Sequence, residues 1–176
     1  MAEPLADRFI KGIHQAAELY HRLVMLVAPP GSGKTAALQN VHKRTAAPLI
    51  NINLELSRRM LDLTERQRAL ELPRLLAEIV GGSAGDVVLL DNIEVLFDVL
   101  LKQDPLRLLQ GLSRSKTVVA AWSGEIRAEG RGLRTESNVD CSEPITRSSS
   151  LYLVYATPEH LEYRRYPVED FLVVKP

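Results

Sequence analysis

The chain has 176 residues, with 22 Lys plus Arg set against 22 Asp plus Glu. One domain with a single substantial core, spanning 1–176, is expected, and no global field draws it to nucleic acid or to an anionic membrane. The lone Cys141 excludes an internal disulfide and a multi-cysteine zinc site, and it suits a reducing, cytoplasmic setting.

Residues 1–12 are charged and lack the apolar core of a signal peptide. No apolar run approaches the roughly 18 residues of a membrane span, so no membrane partner is expected. Residues 4–22 carry Leu5, Phe9, Ile13 and Tyr20 at helical spacing, which predicts an N-terminal amphipathic helix within 1–22. Residues 23–28 are continuously apolar, the pattern of a parallel strand covered on both faces. A helix over 34–44 and a strand over 48–53 follow. Residues 54–80 read as helix in pieces, with Thr64-Glu-Arg-Gln67 matching a capping box, Pro73 interrupting and Gly81-Gly82 stopping it. Residues 86–91 predict a third strand, and 93–101 and 106–112 predict helices, the second capped by Asp104-Pro105. A fourth strand is expected over 116–122. Residues 123–150 are polar and aperiodic, a hairpin or a functional loop. A fifth strand is expected over 151–155, and 160–174 reads as helix, hairpin or both. Strands alternating with helices predict an α/β, three-layer sandwich around a mostly parallel sheet.

Ala28-Pro-Pro-Gly-Ser-Gly-Lys-Thr35 sits between the first strand and the helix after it. It meets the P-loop pattern, Gly, four residues, then Gly-Lys-Ser/Thr, except that Ala28 stands at the first glycine. Gly31 and Gly33 let successive N–H groups turn inward, so that Pro30, Gly31, Ser32, Gly33, Lys34, Thr35 and Ala36 would cradle an anion at the positive end of a helix. Lys34 would reach the β- and γ-phosphates of ATP, and Thr35 would offer its hydroxyl to Mg²⁺. The competing reading is a glycine-rich turn with an ordinary surface lysine. Val87-Val-Leu-Leu-Asp91 would deliver Asp91 to the carboxyl edge of the sheet, as a Mg²⁺ carboxylate or as a plain helix N-cap. The histidines form no metal-ligand spacing with Cys141, and the tyrosines 152, 155, 163 and 166 could stack bases but read rather as core or interface packing residues.

The extra strand between the glycine-rich turn and Asp91 resembles the additional-strand catalytic-glutamate division of P-loop NTPases, which includes the AAA+ ATPases. That resemblance implies strand order 5-1-4-3-2. Members usually carry a glutamate beside the metal aspartate, whereas this chain reads Asp91-Asn92-Ile93-Glu94. Asn92 can orient a water but cannot take its proton. Glu94, about one helical turn beyond Asp91, is the candidate base, or else a first-turn acid complementing a helix dipole. The resemblance also implies a γ-phosphate sensor at Ser123, which equally fits a turn serine. An arginine finger before the fifth strand would be Arg147, in competition with Arg114, Arg127, Arg131 and Arg134, and any one of these equally reads as a solvated surface charge.

No helical lid domain is expected, because little chain follows residue 155. A core of this size with the two nucleotide motifs and a tail rich in tyrosine and arginine resembles the BrxF family, the small P-loop proteins of type III BREX phage-defence systems. The resemblance implies an ATP-binding accessory whose partners are other defence proteins, self-assembly that completes the site in trans, and contact with DNA only through such partners. Three classes follow as expectations: an ATPase, slow because Asn92 stands beside Asp91; a nucleotide-binding module with little hydrolysis; and a small-molecule kinase.

Overall fold

Six consecutive apolar residues give a strand no side to show to water. Accordingly Leu23–Ala28 (β1), which follows the helix Leu5–Ala16 (α1), is buried at every position. The computed structural model describes residues 4–129 and 150–175. After β1 come α2 (Lys34–Thr45), β2 (Leu49–Asn51), α3 (Ile52–Arg59), α4 (Glu65–Gly81) and β3 (Val87–Asp91). Two short 3₁₀ segments, Ile93–Phe97 and Val99–Leu101, lead to α5 (Pro105–Leu112). The chain ends with β4 (Thr117–Glu129), β5 (Ser150–Tyr155), β6 (Arg164–Pro167) and β7 (Leu172–Val174).

The fold is α/β with a mostly parallel central sheet, in the order β2-β3-β4-β1-β7. Because strand side chains alternate, β1 feeds two separate cores. Leu23, Met25 and Val27 pack with Ile52, Leu72 and Leu109 of α3, α4 and α5. Val24 and Leu26 pack with Phe9 of α1 and with Leu38 and Val41 of α2. Helices therefore cover both faces, an arrangement compatible with a three-layer sandwich.

Three expectations are corrected. The strand at 151–155 does not join β1: β5 pairs antiparallel with the second half of β4 and with β6, and the place beside β1 belongs to β7, in register Val24 with Leu172. A short apolar run reads the same for either pairing. What decides is the connection, since a parallel neighbour needs a crossover, usually a helix, and residues 130–149 carry no helical periodicity. Pro73 does not interrupt α4. A proline frees the carbonyl four residues earlier, and here the carbonyl of Ala69 accepts a 2.8 Å hydrogen bond from Gln103 Nε2 instead. The helix expected over 93–101 is two 3₁₀ segments, split at Asp98, whose side chain accepts from Leu100 N.

Strand β4 does not stop at Trp122 but continues through Ser123 into the antiparallel ribbon. Fully buried Trp122 donates from Nε1 to the carbonyl of Val154 at 3.1 Å, locking the ribbon to the sheet. Tyr166 ties β6 to α5, its hydroxyl donating to Asp104 Oδ1 at 3.0 Å, while Asp104 also caps Arg107 N. The close approach at Trp122 explains Gly124: a Cβ there would overlap the carbonyl oxygen of Val154, which is backbone and cannot swing aside. Gly124→Ala is expected to destabilise the fold by about 1–3 kcal/mol, as overpacking does. A urea-unfolding midpoint equal to that of the parent would contradict this.

Candidate functional site

The carboxyl ends of β1 and β3 both lie against the middle of β4, because the three strands run parallel and in register. Ala28 lies beside Ser123, and Leu90 beside Ala120 with Asp91 next along. Such an edge is where open α/β sheets hold ligands. From Ala28 the chain enters the glycine-rich turn. Gly31 (φ 76°) and Gly33 (φ 85°) hold the left-handed conformation, which a side chain disfavours even though the space around both is open. Ser32 Oγ closes the turn by donating to the carbonyl of Pro29 at 2.6 Å. Gly33 then begins α2 with no side-chain cap and no acid in the first turn, so the helix itself supplies no anion to its positive end. Pro30, Thr35 and Ala36 are exposed on the same turn.

Lys34 is the unusual residue. Only 8% of it is exposed, and its ammonium donates to two main-chain carbonyls, Ala28 at 3.2 Å and Pro29 at 2.8 Å. Burial lowers its pKa from the ordinary lysine value, and the carboxylates of Glu94 and Asp91 pull the other way. No carboxylate among the described residues stands within ion-pair distance of it. This is a desolvated cation held by two carbonyls at the start of the turn.

Asp91 is buried, and its Oδ1 accepts from Asn92 N at 2.9 Å. That bond is made possible by the left-handed conformation of Asn92 (φ 52°), which asparagine tolerates better than most residues. Asn92 thus acts here through its main chain, and its side chain makes no hydrogen bond to the described residues. Glu94 is half-buried, and its Oε1 accepts a 2.6 Å hydrogen bond from Ser123 Oγ. Lys34, Asp91, Glu94 and Ser123 therefore form one constellation around the turn. Ser123 lies within a strand rather than at its tip and grips a carboxylate. Arg147 lies outside the described residues, as do Arg131 and Arg134. Of the competing arginines, Arg127 is paired with Glu125, and Arg114 lies 5.4 Å from the centre of the Tyr20 ring.

Two hollows flank the turn. One of about 340 Å³ is lined by Leu5, Gly33, Ala36, Ala37 and Asn40. The other, of about 460 Å³, is bounded by Pro29, Pro30, Glu94 and Ser123 on one side and by Tyr155 and Glu162 on the other. Sequence reasoning did not single out Tyr155 and Glu162 as wall residues, because the tyrosines read as packing residues and 160–174 read as helix, hairpin or both. The polar character of 123–129 directly after an apolar strand was the available signal.

Among the described residues no group of three or more His, Cys, Asp or Glu gathers to hold a metal, so Thr35 and Asp91 could at most complete a site shared with a ligand. Among the same residues no helix is long and apolar enough to cross a membrane. Comparison with protein-family models, curated proteins and solved structures finds no match for the chain.

Proposed function

We propose that the chain binds ATP with Mg²⁺ on the turn from Ala28 to Ala36 and hydrolyses it slowly, as the accessory or switch subunit of a bacterial phage-defence complex of the BREX kind. The observation that carries the nucleotide reading is Lys34, a buried ammonium whose hydrogen bonds among the described residues go to two main-chain carbonyls, those of Ala28 and Pro29. The residues fit the ligand. Left-handed Gly31 and Gly33 allow the amides of 31–35 to face an anion, and the uncapped start of α2 adds its dipole. Lys34 would exchange carbonyl partners for phosphate oxygens, a charge-assisted bond of about twice the strength of a neutral one. The hollow beside Ala36 and Ala37 offers room for the nucleoside end.

Thr35 and Asp91 are the residues that would hold Mg²⁺, with Asn92 N fixing the orientation of the Asp91 carboxylate. Bound there, the ion would supply charge neutralisation to the phosphate oxygens. Glu94 is the base that would take a proton from the attacking water, and Ser123 holds its Oε1 in place. The defence role and its protein partners rest on the resemblance of the two motifs, with a trans-acting cation such as Arg147 part of that proposal.

A second reading, the binding module with little turnover, is favoured by one observation: the Ser123 hydroxyl already engages the carboxylate that would have to act. Phosphate release from ATP separates the two. The ATPase reading predicts slow, Mg²⁺-dependent release above the buffer background, and no release from a chain that binds ATP leaves the module. As a positioning residue, Ser123 has its own signature. Ser123→Ala should lower kcat by about tenfold to a hundredfold with KM unchanged, and Ser123→Thr should restore it. Equal loss in both variants, or a change in KM alone, would contradict that role.

A further inference from the structure

The larger hollow has a chemistry opposite to that of the turn it adjoins. Among the described residues no lysine or arginine lines it, whereas three carboxylates do, those of Glu94, Glu125 and Glu162. Glu125 is neutralised by Arg127 at 2.5 Å. Among the described residues no cation stands within ion-pair distance of Glu94 or Glu162. The wall between those two carboxylates is the ring of Tyr155, stacked on Phe97 with centroids 3.6 Å apart and planes 17° from parallel. Both carboxylates act on its phenol: after burial, Glu162 and then Glu94 push its pKa up to about 12. Glu162 is held by an ordered turn, since its N–H donates to His160 Nδ1 at 3.1 Å and His160 N donates to the carbonyl of Thr157 at 2.9 Å. Such a lining disfavours phosphate, so the part of the hollow beyond Glu94 suits a cation rather than an anion.

We propose that this hollow is a second binding site, for a small organic cation with an apolar stem, a guanidinium or primary amine compound. Its charged head sits between Glu94 and Glu162, and its stem lies against Tyr155 and the Pro29-Pro30 wall. The volume of about 460 Å³ lies within the range of small-molecule pockets, and a rigid aromatic wall flanked by carboxylates suits a guanidinium, which stacks and donates in one plane. An occupant there would abut the turn through Pro29 and Pro30 and would place its charge beside Glu94, the residue proposed above as the base.

The inference goes beyond the nucleotide reading and does not depend on it. The test is therefore run on the full chain without nucleotide: agmatine is titrated while the ring resonances of Tyr155 and His160 are followed by NMR. Saturable shifts are expected in both rings. Glu162→Gln should weaken binding about tenfold, the usual effect of losing one charged hydrogen-bond partner, and Glu169→Gln, an exposed acid outside the hollow, should leave it unchanged. Absence of saturable shifts at millimolar agmatine overturns the proposal. So does an equal loss in both variants, which would mean attraction to surface charge alone, or no loss in Glu162→Gln. A chain that binds agmatine but not ATP would keep this site and remove the triphosphate reading; the reverse result would do the opposite.

Discussion

Replacing Lys34 by alanine should reduce the affinity for ATP with Mg²⁺ by about a hundredfold or more, with the fold intact. The size follows from what the ammonium does. Charge-assisted hydrogen bonds contribute about 1.5–3 kcal/mol each, and two lost phosphate contacts already exceed the roughly 2.7 kcal/mol that a hundredfold change requires. Lys34 also bridges the carbonyls of Ala28 and Pro29, so the variant removes a brace from the turn as well as a charge. Lys34→Met keeps the apolar stem in its buried slot and separates these contributions, because it loses the charge while filling the same volume. Calorimetry on both variants, beside a thermal melt, makes the measurement. Equal affinity in parent and variants would show that the ammonium has no part in holding the nucleotide.

Glu94→Gln is expected to lower turnover by about a hundredfold or more, within the range for losing a general base, while ATP affinity stays within a few fold. The substitution is well matched to the site. A glutamine carbonyl can still accept from Ser123 Oγ, so the 2.6 Å contact and the placement of the side chain survive, and only proton acceptance is removed. Glu94 also opposes the desolvation of Lys34, so neutralising it should lower the lysine pKa a little further. A turnover number identical to that of the parent would take Glu94 out of the chemistry and leave the binding-module reading.

Much of the fold was legible because its signals are local. The unbroken apolar run of β1, the alternation of helix and strand, the Thr64–Gln67 capping box and the Asp104-Pro105 helix start all appear where their residues predict. The glycine-rich turn was legible for the same reason, since left-handed backbone at residues 31 and 33 is a property of glycine itself. The errors fall where distant partners decide. Pro73 reads as a helix breaker until Gln103 supplies the donor that the Ala69 carbonyl lost. Residues 151–155 read as a parallel strand until the length of β4 and the Trp122 to Val154 bond turn them into a ribbon.

The site divides in the same way. Lys34 and Asp91 were readable from motif and strand, but the grip of Ser123 on Glu94 depends on the register that sets Ser123 beside Ala28. The acidic hollow depends on an antiparallel pairing that no short segment specifies.

The most direct test is a crystal structure of the full chain with Mg²⁺ and a non-hydrolysable ATP analogue. The account predicts the β- and γ-phosphates against the amides of residues 31–35, with the Lys34 ammonium released from the carbonyls of Ala28 and Pro29 and turned onto phosphate oxygen. An analogue bound elsewhere, or an empty turn with Lys34 still on those carbonyls at saturating analogue, would contradict it.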